Sequence, residues 1–384
     1  MFSKQKGGSM TREELALRLK AARETTGLSL GDAATRLGFP SYQTLSSIEN
    51  GQREVKVSEL ARFARIYFYN LSDFLAEQAS QSECPILWRN PPEAEEQKKQ
   101  AQREIFSLCE QYHVLEKLLG IKSEKGFMEV TRESINSNQA INRLAKETRN
   151  LLGLGQRPAC SLQKVLEQDY GVKILYYPLA YGSAASMVHP DMGKAVVINA
   201  NEVSWRQNYD LAHELFHLIL WKVFSLDEMN DTLFFSDVEK KADRFASMLL
   251  LPEDEVRREL EQVMANNKQV NFSDIVDIAM DFGVSAKALV YRLASVNLIK
   301  WEMADTLAHD EELAEISRQK RKQEQQTKQS ERFNALAVRC LRKGFISRGK
   351  FAELINIDRS DIDDHIENMG MMESEGKAVE VMAS

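Results

Sequence analysis

His213-Glu214-Leu215-Phe216-His217 joins two imidazoles and a carboxylate at a spacing with chemical consequences. On a helix, positions i and i+4 lie on one face a turn apart, so His213 and His217 can share one metal ion. Glu214 can reach a metal-bound water without ligating the metal, which is the placement a general base needs. A third ligand is expected from Val238-Glu239-Lys240-Lys241-Ala242-Asp243, a segment given helical spacing by Ala242, Phe245, Ala246 and Leu249 and closed by Pro252. Glu239 and Asp243 share a face there. Glu239 is the better candidate ligand, leaving Asp243 to accept the free N–H of a ligand histidine and fix its tautomer. Two histidines, one glutamate and an open fourth position make the catalytic rather than the structural zinc arrangement, with one Zn2+ per chain. Tyr209, Tyr176, Tyr177 and His189 could each stabilise an oxyanion, and spacing does not separate them. The plainer reading of the motif is a pair of core histidines satisfied by their neighbours.

The elements that must position these groups sit in a chain of 384 residues, 43% hydrophobic and 28% charged, which is the balance of a globular protein of two or three modules. No apolar run is long enough to span a membrane and no signal core follows Met1, so a cytoplasmic protein is expected. Cys84, Cys109, Cys160 and Cys340 are scattered without a C-x-x-C pair, which leaves any metal to histidine and carboxylate. The net charge of −7 neither requires nor excludes DNA binding, because a whole-chain sum hides local faces.

From Thr11 the chain reads as short packed helices. Leu15, Leu19 and Ala22 form one apolar stripe and Leu30, Ala33, Ala34 and Leu37 a second, with Gly27 and Ser29 between them. Gly38-Phe39-Pro40 marks a turn. Ser41 is placed to cap a third helix with Leu45 and Ile48 inward, and Asn50-Gly51 to stop it. Leu60, Phe63, Ala64, Ile66 and Phe74 supply two more helices, giving five in all and a helix-turn-helix arrangement. With Arg23, Gly27, Ala34, Gly38 and Ser46-Ser47-Ile48-Glu49-Asn50-Gly51, this stretch resembles the phage-repressor (Cro/C1, XRE) family of DNA-binding domains. The resemblance implies a structural pair between Arg23 and Glu49. It also turns Tyr42, Gln43 and Ser47 toward base edges and Asn50 toward a phosphate of a double-stranded operator. Leu30 stands where many relatives carry glutamine. A small bundle that docks protein instead of DNA is the alternative.

Cys84-Pro85-Ile86-Leu87-Trp88-Arg89-Asn90-Pro91-Pro92 and the charged run after it read as a connector leading into amphipathic helix. Short apolar runs at 172–177, 184–188 and 195–199 predict three strands of a small sheet. The helix bearing the histidines is apolar nearly all round and must be buried. With the 239–252 segment, His213-Glu214-Leu215-Phe216-His217 resembles the ImmA/IrrE family of metallopeptidases across about residues 145 to 300. That family's motif glycine is replaced by Phe216, which is expected to narrow the cleft or to alter what packs above it. The resemblance implies gene control by limited proteolysis of a helix-turn-helix repressor, often encoded nearby.

The expected architecture is therefore α+β and mostly helical. A helix-turn-helix domain (10–78) is followed by a helical connector (79–145) and a zincin-like metallopeptidase domain with a small sheet (146–300). A charged helical linker (301–332) and a C-terminal helical module (333–384) complete it. The linker, with Arg318 and Arg321, reads as a solvated helix or flexible arm, and acidic Asp358, Asp361, Asp363 and Asp364 disfavour a second DNA reader. The expected function is a homodimeric transcription regulator that cleaves a repressor-type or neighbour-encoded protein in response to stress, phage or mobile-element signals. The alternative is a repressor or antitoxin-like protein whose peptidase-like domain serves as a non-catalytic sensor or scaffold.

Overall fold

A computed structural model describes residues 11–67, 74, 86–89, 95–122, 125–225, 228–229, 231–323 and 330–369. Cys84 and the prolines at 85, 91 and 92, most of the fifth helix expected near Phe74, positions 324–326 of the charged arm and residues 370–384 lie outside it. The described residues form seventeen helices and one four-stranded sheet, so the protein is α+β and mostly helical. They divide into two compact units. The first holds Met1–Glu83, Glu110–Lys122 and Glu331–Ser384, the second Cys84–Cys109 and Ser123–Ser330.

The first unit begins with α1 (Arg12–Thr26), α2 (Leu30–Leu37), α3 (Tyr42–Glu49) and α4 (Val57–Tyr67). Local chemistry sets their ends. Thr11 and Glu14 make a reciprocal capping box, the Ser29 hydroxyl accepts from Asp32 N–H, and Gly27 and Gly38 close α1 and α2 with positive φ. Ser41 occupies the N-cap position of α3 with extended dihedrals, but its hydroxyl makes no capping bond. Leu19, Ala22, Ala34, Leu45, Ile48 and Phe63 form the core, and Phe74 is helical and buried against it. The C-terminal part of α5 (Glu95–Leu118) belongs to this unit, where Arg332 donates to Glu116 and Tyr112.

The C-terminal helices of the chain, numbered below, also fold into the first unit, where Arg36 donates to Gly344 O at 3.1 Å. Gly27 has φ +65°, and a Cβ there would stand 2.3 Å from Lys350 Cβ and 2.7 Å from Ser347 Oγ. The turn between α1 and α2 thus requires glycine for its conformation and for its packing.

The second unit continues with α6 (Asn138–Leu151), α7 (Pro158–Gln168), α8 (Ser204–Leu220) and α9 (Thr232–Leu250). It also holds α10 (Glu253–Asn267), α11 (Phe272–Asp281), α12 (Ala286–Ser295), α13 (Trp301–Ala308) and α14 (Glu311–Lys320). The helices α15 (Glu331–Arg342), α16 (Arg348–Ile355) and α17 (Ile362–Asn368) return to the first unit.

The sheet is ordered β1-β3-β4-β2, from β1 (Ile86–Arg89), β2 (Lys173–Tyr177), β3 (Ala184–His189) and β4 (Gly193–Asn199). β1 and β4 flank β3 antiparallel, and β2 runs parallel to β4. β2, β3 and β4 are the three strands the apolar runs predict. β1 is a fourth, inside the segment expected to be a connector, because four residues between prolines carry no periodicity that sets a strand apart from a linker.

Every residue of α8 from Leu211 to Leu220 is buried. Two amides fix this helix in place. Gln207 Nε2 donates to Asn199 O at the end of β4, and Asn208 Nδ2 to Gly283 O at 2.8 Å. At the far end of α9, Arg292 Nε donates to Leu251 O and satisfies a carbonyl beyond the helix.

Gly27→Ala should cost the first unit about 2–4 kcal/mol, combining the left-handed penalty with overpacking against Lys350. Denaturant unfolding followed by far-UV circular dichroism checks this, with tryptophan fluorescence, which reports the second unit alone, as reference. An unchanged dichroism midpoint would show that the contact carries no weight.

Candidate metal centre

α8 and α9 bring the motif and the Glu239 segment together. His213 and His217 approach each other through Nε2 at 3.2 Å. Glu239 faces both, with Oε2 3.2 Å from His213 Nε2 and Oε1 2.9 Å from His217 Nε2. These three side chains are the one group among the described residues whose donor atoms converge as a metal site requires, all within 4.8 Å of one another. Ligands bound at about 2.0–2.2 Å to a tetrahedral zinc stand about 3.3 Å apart. The triangle already has that size.

The protonation pattern fits a cation as well. His213 Nδ1 lies 3.0 Å from Asp243 Oδ1, so a proton on Nδ1 leaves the Nε2 lone pair facing the triangle. Asp243 is thus the carboxylate that meets His213 on the side away from the triangle. Burial alone would lower the pKa of His213, yet hydrogen bonds to Asp243 and Glu239 and the charge of Glu214 raise it to about 9. Burial pushes Glu239 upward, but hydrogen bonds to His213 and His217 prevail and hold it at about 2. The centre thus favours a cation, either a proton or a metal.

Glu214 is 1% exposed, and neither carboxylate oxygen has a hydrogen-bond partner. A buried carboxylate without partners is costly, and a polarised water beside a metal would supply the donor it lacks. With the Nε2–Nε2 approach, this orphaned group shows that the residues present fit a zinc ion.

Phe216 does not narrow the cleft. Its ring is fully buried against Phe245, 5.4 Å between centroids, where it fills the core behind the motif. Beside His217, a cavity of about 220 Å3 is lined by Leu87, Leu220, Trp221, Phe224, Met229 and Val238. On the Asp243 side lies a cleft of about 670 Å3 that includes Arg89, Arg206, Tyr209 and Tyr291.

Two groups escaped the sequence reading. Asp210, fully buried one turn before the motif, accepts from Arg89 Nη1 at 2.9 Å and lies 3.2 Å from Arg206 Nε. Burial raises its pKa to about 6 against the pull of both arginines. The i,i+4 spacing of Arg206 and Asp210 was the available sign, whereas Arg89 arrives from a distant strand and left none.

The oxyanion candidates are mostly committed elsewhere. Tyr209 donates to Asp243 O at 2.8 Å and Tyr176 to Gln163 Oε1 at 3.0 Å, while His189 Nδ1 accepts from the backbone of Asp191 and Met192.

In the first unit, Arg23 grips Glu49 with two parallel bonds, Nε to Oε1 at 2.8 Å and Nη2 to Oε2 at 2.9 Å, which tie α1 to α3. On α3, Tyr42 is 54% exposed, Gln43 is exposed and Ser47 is half-buried. Asn50, just past the helix, is exposed and donates to Ser46 Oγ.

Residues 14–72 match the family model described as a helix-turn-helix domain, and residues 167–294 match that of the IrrE N-terminal-like domain. The chain carries the two domains in the order the sequence implied. No curated protein matches it. Among solved structures, a Mycobacterium tuberculosis transcriptional regulator is similar at 15% identity with a TM-score of 0.30, over 48% of this chain and 51% of that one. The chain spans about half the length of that structure.

His213→Ala should abolish stoichiometric zinc uptake. It should also abolish the stabilisation by zinc, about 4 kcal/mol for wild type at a thousandfold excess over Kd. Elemental analysis and thermal melts with and without zinc measure both, and full zinc content in the variant would remove His213 from the site.

Proposed function

We propose that this chain is a cytoplasmic DNA-binding transcription regulator whose second unit is a zinc-dependent endopeptidase. The observation that carries the reading is the convergence of His213, His217 and Glu239 beside a buried Glu214 that lacks hydrogen-bond partners. When bound, zinc would polarise a water molecule and a peptide carbonyl.

The other steps belong to the protein. Asp243 holds His213 with its proton on Nδ1, and Glu214 takes the proton from the attacking water and returns it to the leaving amine. The apolar walls beside His217 shield the reacting groups from bulk water. Tyr42, Gln43, Ser47 and Asn50 are the groups we assign to operator DNA: Tyr42, Gln43 and Asn50 are exposed and Ser47 half-buried on and just past a helix locked by Arg23 and Glu49, which supports the assignment.

 Limited proteolysis of a repressor-type or neighbour-encoded protein, triggered by stress, phage or mobile-element signals, is the activity this pairing of units supports. A homodimer on paired half-sites is the expected form on DNA.

A second reading is favoured by the Tyr209 hydroxyl, which is bonded to the backbone of Asp243 and so is not available to an oxyanion in this conformation. There the second unit would be a zinc-holding sensor or partner scaffold of a repressor or antitoxin-like protein.

Glu214→Gln separates the two. It should keep one zinc per chain and slow cleavage of a helix-turn-helix repressor encoded beside this chain by about 10²–10⁴-fold, the usual contribution of a general base. Undiminished cleavage by the variant would remove Glu214 from the chemistry. Zinc-loaded wild type that cuts nothing yet regulates its operator as the variant does would establish the second reading.

A further inference from the structure

Arg89 lies outside the residues that match the IrrE N-terminal-like domain, yet it is bound to the metal centre from three sides. Its side chain is 11% exposed. Nη1 donates to Asp210 Oδ1 on α8 at 2.9 Å, and Nη2 donates to Asp243 Oδ1 on α9 at 2.8 Å. The guanidinium also stands over the ring of Tyr209, 5.5 Å from its centroid, and the Tyr209 hydroxyl holds the backbone of Asp243. The oxygen of Asp243 that takes Arg89 is the same one that faces His213 Nδ1.

Asp243 needs such an anchor. Its side chain is 48% exposed, so water competes for its carboxylate, while the histidine it must orient is fully buried. A planar guanidinium presents its donors in fixed directions, one to the carboxylate of each helix, where the rotatable donors of an ammonium fix no such geometry. The strand supplies the reach: Arg89 pairs with Ala184 at the end of the β1–β3 ladder, and Leu87, two residues earlier on the same face, lines the cavity beside His217.

We propose that Arg89 is a positioning residue of the metal centre, clamping Asp243 to α8 so that His213 presents Nε2 to the metal. The metal-binding unit therefore includes β1, a strand from the segment between the two matched domains. This rests on the zinc reading above. A purely structural Arg89 would neutralise Asp210 and stabilise the fold without acting through Asp243.

A double-mutant cycle on the full chain decides between these roles. Zinc Kd is measured by competition with a chromogenic chelator for wild type, Arg89→Met, Asp243→Ala and the double variant, with metal-free melting temperatures reporting the fold. Arg89→Met should weaken zinc binding by about 10–100-fold and alter the visible spectrum of the cobalt-substituted protein, as loss of an outer partner of a ligand does. In the Asp243→Ala background the same change should weaken binding less than about threefold, because the two residues act as one unit. Arg89→Lys, which keeps the charge and loses the fork, should fall between wild type and Arg89→Met, and it runs the same cycle should Arg89→Met not fold. Wild-type zinc affinity in both Arg89 variants, or an equal loss with and without Asp243, would overturn the proposal while leaving the zinc reading intact. A wild-type chain that takes up no zinc would overturn both.

Discussion

The structure depends on burying ionisable groups on a helix that is otherwise core. Asp210, His213, Glu214 and His217 occupy one stretch of α8 and are each at most 4% exposed. Charges removed from water to that extent must find opposite charge, hydrogen bonds or a metal, or the fold does not survive them. Arg89 and Arg206 answer Asp210, Asp243 answers His213, and Glu239 faces both imidazoles. Glu214 is left without a protein partner, which is where chemistry can enter. Much of the second unit follows from this constraint: α9 brings two carboxylates, β1 brings an arginine, and Gln207 and Asn208 hold the helix in register with them.

The first unit solves a lighter version of the same problem. Glu49 is buried at the end of α3, and the Arg23 fork satisfies it while joining two helices at a fixed angle. A bidentate pair restricts orientation more than apolar packing does, so the exposed positions of α3 are presented on a rigid support. The C-terminal helices complete this unit by packing where Gly27 leaves no side chain. A segment near the end of the chain thereby contributes to the fold of the segment at its beginning.

What could be read in the sequence was what local spacing encodes. The i,i+4 histidines, the i,i+4 carboxylates of α9, the break at Gly27 and Ser29 and the turn at Gly38 each rest on a few neighbouring residues. Arg89 was illegible for the opposite reason. Its partners lie 121 and 154 positions away, and the strand that carries it is too short to show a period. Phe216 illustrates a third case: a bulky residue inside the motif suggested a narrowed cleft, but the side of α8 it faces is set by helices that the motif alone does not place.

The proposed function requires His213, His217 and Glu239 to hold one zinc ion. Anomalous diffraction at the zinc absorption edge, on crystals of the full chain grown with zinc, tests it most directly. A single strong peak per chain is expected about 2.0–2.2 Å from His213 Nε2, His217 Nε2 and a Glu239 oxygen, with Asp243 still on His213 Nδ1. No peak between these residues, or one bound by other side chains, would contradict it.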